Sequence, residues 1–179
     1  PWVAPCVNTS LATFDVQDGK LVYALGALKN VGVDAMGLIV EGRGEQPFVT
    51  LFDLARRVDL KRVGKRPMEM LARAGAFDVL DPNRRRVFES LDALVGYSAA
   101  IHDQKNSNQV SLFGEAGDDL PEPRLSPAAD WLPAERLAEA QKSFPQELAG
   151  REARLRTLAA TANGVHNSWT RLSAIYALG

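Results

Sequence analysis

The sequence predicts a mainly α fold with a small N-terminal β-hairpin. Three observations carry that prediction. An alternating apolar pattern over residues 13–24 gives way at Leu25 to helical spacing. Capping and stopping residues then divide the chain into successive helices as far as about residue 104. A proline-rich acidic stretch without periodicity follows, and a helical tail comes after it.

In the segment TFDVQDGKLVYA, Phe14 and Val16 alternate with polar residues, Asp18-Gly19 supplies the turn, and Leu21, Val22 and Tyr23 form the return strand. Leu25 and Leu28 then share a helical face before Gly32 interrupts. Met36, Ile39 and Val40 mark a second helix ending near Gly42. Thr50 caps a helix through Leu51, Leu54, Ala55 and Val58. Pro67 suits the first turn of the next helix, which buries Met68, Leu71 and Ala72 and stops at Gly75. Pro82-Asn83 opens the longest helix, about 84–104, with Val87, Leu91, Leu94, Val95 and Ser98 as its buried stripe. Residues 105–133 hold Pro121, Pro123, Pro127 and Pro133, and from 115 to 135 six acidic residues face one arginine, which reads as a mobile linker. Helical pattern returns over about 134–142, and a weaker one runs from 146 to 162.

The chain has 179 residues, 46% hydrophobic and 24% charged, values ordinary for a globular protein. Its net charge of −1 excludes a uniformly basic nucleic-acid binder but leaves room for local basic patches. Cys6 is the single cysteine, so no internal disulfide forms and a reducing, cytoplasmic compartment fits. No apolar run reaches the roughly 18 residues of a membrane helix. A first residue of proline rather than methionine points to a piece of a longer chain.

Catalytic, metal and cofactor signals are absent. His102 and His166 belong to no ligand pattern, Cys6 has no activating neighbour, and neither a P-loop nor GxGxxG occurs. Asp118-Asp119 lies in the acidic linker and reads as solvated charge.

Two segments point to DNA. In LGALKNVGVDAMGLIV, the turn Lys29-Asn30-Val31-Gly32 needs residues that tolerate positive φ, as Asn and Gly do. A glycine there lets a phosphate approach the amides that open the next helix. Such contacts grip the DNA backbone without reading its sequence. The alternative is an ordinary helical hairpin. In DLKRVGKRPMEMLARAG, Gly64 again precedes a helix, with Lys61, Arg62, Lys65 and Arg66 beside it. From Arg56 to Arg73 seven basic residues stand against two acidic ones, a phosphate-tracking pattern whose alternative is a solvated charged face. Arg84, Arg85 and Arg86 either extend the patch or simply cover the start of the long helix; as three cations opposing its dipole they mildly favour a partner.

Taken together, three stretches resemble the alpha-subunit family of bacterial DNA polymerase III over roughly residues 3–142. They are VAPCVNTSLATFDVQDGKLVYALGALKNVG, PFVTLFDLARRVDLKRVGKRPMEMLARAGAFD and NQVSLFG, in the family's order and spacing. The resemblance implies four parts: 1–24, the end of the fingers region with the β-hairpin; 25–104, a helix-hairpin-helix DNA-binding module; 105–133, a linker with a clamp-binding motif; and 134–179, a helical tail. It implies contact with duplex DNA, with the sliding clamp and with other polymerase III holoenzyme subunits, and no membrane partner. Two positions depart from the general helix-hairpin-helix pattern: Asn30 where glycine is usual, and Met36 where a small residue is preferred.

The resemblance also explains an apolar pair in a polar linker. Gln109, Val110, Ser111, Leu112 and Phe113 match the family's Q-x-x-L-F clamp motif, in which Leu and Phe fill a pocket and Gln bonds at its rim. The alternative is that Leu112 and Phe113 fold back on the long helix. The family's catalytic carboxylates and the Mg²⁺ they bind belong to a palm that precedes this segment, so the parent is a DNA-directed DNA polymerase (a nucleotidyltransferase) while this piece is expected to be inactive alone. After about Ser143 the resemblance ends, and an out-of-frame or chimeric tail is the expectation there. A stand-alone helix-hairpin-helix module of repair or recombination is the competing reading.

Overall fold

The structure, a computed structural model, describes residues 2–106 and 120–145. It is mainly helical, as expected. Near the N-terminus, β2 (Asp15–Gln17) and β3 (Lys20–Val22) pair antiparallel with Val16 opposite Leu21. The turn joining them has Asp18 at φ 51° and Gly19 at φ 72°, the two positive values that match the twist of a tight hairpin. An additional strand, β1 (Trp2–Val3), pairs parallel with β3, giving the order β1-β3-β2.

Leu25–Ala27 forms a 3₁₀ turn where a short helix was expected. The amides of Leu25 and Gly26 donate to the carbonyls of Leu11 and Ala12, drawing the turn onto the preceding segment. A Cβ on Gly26 would stand 2.5 Å from the Ala12 oxygen, so only glycine fits there. Helix α1 (Val33–Arg43) follows, burying Met36 and Ile39. It runs one residue past Gly42, because Gly44 supplies the positive φ, 52°, that ends it. The buried Arg43 guanidinium donates to the carbonyls of Val7 and Ser10, and Asn8 exchanges two hydrogen bonds with the Phe48 backbone. The N-terminal segment is thereby fastened to the helical body.

Helix α2 (Leu51–Arg57) starts at Thr50, whose hydroxyl accepts from the Asp53 amide. The short α3 (Leu60–Val63) is capped by Asp59, which accepts from the Lys61 and Arg62 amides. Helix α4 (Lys65–Ala74) buries Met68, Met70, Leu71 and Ala72 and ends at Gly75, φ 82°. The expected long helix is two helices, α5 (Arg84–Glu89) and α6 (Leu91–Asn106). At the junction the Ser90 amide is shared between the Arg86 and Val87 carbonyls, which tightens the turn, and the Ser90 hydroxyl accepts from the Ser126 amide. Helix α6 is the spine against which α2, α3 and α4 pack.

Residues 120–132 have no helix, as expected of the linker, yet they are held down along the body. The Asn83 side chain donates to the Ala128 carbonyl, the Arg85 amide to Asp130, and Leu120 and Leu125 pack on the core. Helix α7 (Pro133–Gln141) then packs on α4.

Candidate nucleic-acid interface

The first predicted hairpin lies between the 3₁₀ turn and α1. Lys29 and Asn30 are exposed, and Asn30 takes the left-handed conformation at φ 59°, which a short polar side chain tolerates. Gly32 does not. Its φ is −86° and ψ 145°, the extended geometry of an N-cap, and a Cβ there would meet nothing within 4 Å. The positive φ expected at Gly32 is thus corrected: glycine leaves the first amides of α1 without a side-chain cap, and strain is not involved. The Lys29 amide donates to the Ser143 carbonyl at 2.7 Å and the Val31 amide to Leu28, so two of the turn's four amides are already engaged. Val31 is buried; its contribution to the turn is packing. Met36, the other departure from the general pattern, is fully buried beneath it.

The second hairpin is α3–Gly64–α4. Gly64 has φ 95° and ψ 145°, a region closed to residues with a Cβ, and it links the two helices with no intervening loop. Lys61, Arg62, Lys65 and Arg66 flank it, and all four are exposed. Lys61 and Arg62 form no ion pair among the described residues. Lys65 reaches Asp92 at 2.7 Å, and Arg66 lies 3.7 Å from Glu69. The Asp92 carboxylate raises the Lys65 ammonium above its ordinary value, so the charge on Lys65 is secure at neutral pH. Helices α1 and α3 pack together, which places both hairpins in one body.

The other basic residues of the run are half-buried and bonded within the protein. Arg57 donates to the Arg43 and Gln46 carbonyls and pairs with Asp53. Arg56 pairs with Glu122, and Arg73 pairs with Glu139 while lying 4.6 Å from the Phe88 ring centre. Arg84, Arg85 and Arg86 pair with Asp78, Glu89 and Asp81 respectively. Each of these three cations that oppose the helix dipole has its own carboxylate, and Arg85 is also exposed.

Sequence reading missed α3 itself. Four residues are too few for a periodic signal, yet Asp59 before them and Gly64 after them are a cap and a stop. The expected clamp motif, Gln109 to Phe113, lies outside the described residues. Among the described residues no group of three or more His, Cys, Asp or Glu converges. No helix among them is long and apolar enough to cross a membrane.

Paired helical hairpins, one turned on Asn30 and one on Gly64, define a helix-hairpin-helix protein, and the family described as helix-hairpin-helix motif matches residues 2–87. Over its aligned residues the chain is similar to DNA polymerase III alpha subunits. It is 42% identical to the DNA polymerase III subunit alpha of Caulobacter vibrioides over 76% of this chain and 12% of that protein. Identity to the subunit of Pseudomonas aeruginosa is 48% over 55% of this chain and 9% of that protein. For the Vibrio cholerae subunit it is 34% over 82% of this chain and 13% of that protein. The chain thus spans roughly a tenth of the length of these curated relatives.

Proposed function

We propose that this chain is a non-catalytic part of a replicative DNA polymerase that holds duplex DNA by its phosphates and carries a docking peptide for the sliding clamp. The observation that supports it most is the sorting of charge around Gly64. In one run of basic residues, Arg56, Arg57 and Arg73 are taken up by internal partners. Lys61 and Arg62, without an ion pair among the described residues, and Lys65 and Arg66, each beside one carboxylate, are exposed on either side of a glycine turn. Exposed cations beside a turn suit phosphate oxygens, and they leave base edges unread. The Gly32 turn would add the uncapped amides at the start of α1.

The clamp contact is proposed for Gln109, Val110, Ser111, Leu112 and Phe113, on their match to the family motif. Other polymerase III holoenzyme subunits are proposed partners in the cytoplasm, and Mg²⁺ would serve the polymerase's catalytic carboxylates outside this chain. The test is duplex affinity for two unrelated sequences. Wild type should bind both equally. The variant with Lys61, Arg62, Lys65 and Arg66 changed to alanine should bind both at least tenfold more weakly with an unchanged melting temperature. Equal affinity of variant and wild type would remove the proposed surface.

A further inference from the structure

Residues 120–145 both donate to and accept from the helical body: Arg136 pairs with Asp78 and Ser126 donates to Ser90 and Glu89, while three of the segment's acceptors engage donors suited to phosphate. Glu122 holds the Arg56 guanidinium and Glu139 holds that of Arg73 at 2.8 Å. The Ser143 carbonyl accepts from the Lys29 amide at 2.7 Å, in the turn of the first hairpin. Asp130 accepts from the Arg85 amide in the first turn of α5. Two guanidiniums and a turn amide are the kinds of donor that bind phosphate. Arg56 also stands just ahead of the exposed cations at 61–66 in the chain, separated from them by the Asp59 cap of α3. The strap is also anchored by apolar contacts: Leu120, Leu125 and Phe144 are partly buried on the core, Phe144 meets the Tyr23 ring, Trp131 meets Phe88, and Ala140 is buried in α7. Ion pairs with exposed members hold weakly and yield to competing anions; the Glu122 side chain is 46% exposed, whereas Arg73 and Glu139 are largely buried and form the firmer of the two contacts.

We propose that residues 120–145 are a strap that, through Glu122, Glu139 and the Ser143 carbonyl, competes with duplex DNA for three donors of the module, Arg56, Arg73 and the Lys29 amide. The inference rests on the proposed duplex binding. DNA and the docked strap are then mutually exclusive at these donors, so each weakens the other by the same factor. The unstrapped protein has more cations to offer and binds DNA more tightly.

Two measurements on the full chain test this. The Glu122→Ala/Glu139→Ala variant should bind duplex about three- to tenfold more tightly than wild type, with a steeper salt dependence, by up to about 0.9 per additional phosphate neutralised. A charge-matched control, Glu45→Gln/Asp103→Asn, alters two exposed carboxylates outside the strap and should change affinity much less. Equal tightening in both variants, or none in the first, overturns the strap. Failure of wild type and variant alike to bind would instead overturn duplex binding, and the strap with it. Should the variant fold poorly, hydrogen exchange on wild type decides. Adding duplex should speed exchange at the Ser126 and Arg85 amides, which the docked strap protects. Unchanged or slower exchange there contradicts the proposal.

Discussion

Gly64 and Gly32 both stand directly before a helix, and their backbones separate conformation from binding. At Gly64, φ 95° is a glycine conformation, and Gly64→Ala should cost about 1–3 kcal/mol of stability. At Gly32, φ −86° suits any residue and a Cβ has open space. Serine is a preferred cap, so Gly32→Ser should raise stability by about 0.5–1 kcal/mol. Its hydroxyl would take an amide otherwise open to phosphate, and duplex affinity should fall. Melting and titration of the same variant check both signs; tighter binding would show that these amides do not face DNA. Ser98 works differently. Buried in α6, its hydroxyl accepts from the Leu60 amide and donates to the Val58 carbonyl, pinning the link from α2 to α3. Ser98→Ala leaves a buried amide and a buried carbonyl unpaired, at about 1–3 kcal/mol for each group left without a partner. A denaturation midpoint equal to wild type would show that the link is held by other contacts.

Helices with a cap, a stop and a buried stripe were legible in the sequence: α2 from Thr50, α4 from Gly75, α7 from the pattern after Pro133. Elements too short for a period were not, as β1 and α3 show. At the break between α5 and α6 the Ser90 hydroxyl bonds Ser126, a residue far along the chain, and local pattern carries no information about that contact. The docking of α7 depends on an acid. Burial would raise the Glu139 carboxyl, but hydrogen bonds and charge from Lys142 and Arg73 outweigh it and hold the group below its ordinary value. Glu89 is also held low, first by the Ser126 hydroxyl and then by Arg85. A carboxyl held low when folded contributes stability at neutral pH, and that contribution is lost as pH falls below its unfolded value of about 4.3 and through the folded one. Acid should therefore loosen α7 and the strap while α4 stays protected. Hydrogen exchange followed from pH 5 downward checks the order; simultaneous loss in α4 and α7 would mean that these carboxylates do not hold the docking.

Over the whole molecule the net charge of −1 hides the surface that matters. Sequence showed a basic run; it could not show which cations were already paired, because Glu122 and Glu139 lie some 66 residues from their arginines. The clamp peptide is a prediction at this scale, since it concerns a separate segment and a separate partner. Leu112→Ala/Phe113→Ala removes most of the apolar area such a peptide can bury, at about 25 cal/mol per Å², and a micromolar contact has only about 8 kcal/mol in total. Calorimetry against the clamp should lose the signal while duplex binding persists; equal clamp affinity would put that contact elsewhere. The most direct test of the central claim is the salt dependence of duplex binding. Plotted as the logarithm of affinity against the logarithm of salt concentration, wild type should show a steep negative slope. Replacing Lys61, Arg62, Lys65 and Arg66 by alanine should make it shallower by about 0.9 for each phosphate no longer neutralised, or roughly 3 to 4 in all. Parallel lines for the two proteins would contradict a phosphate grip built around Gly64.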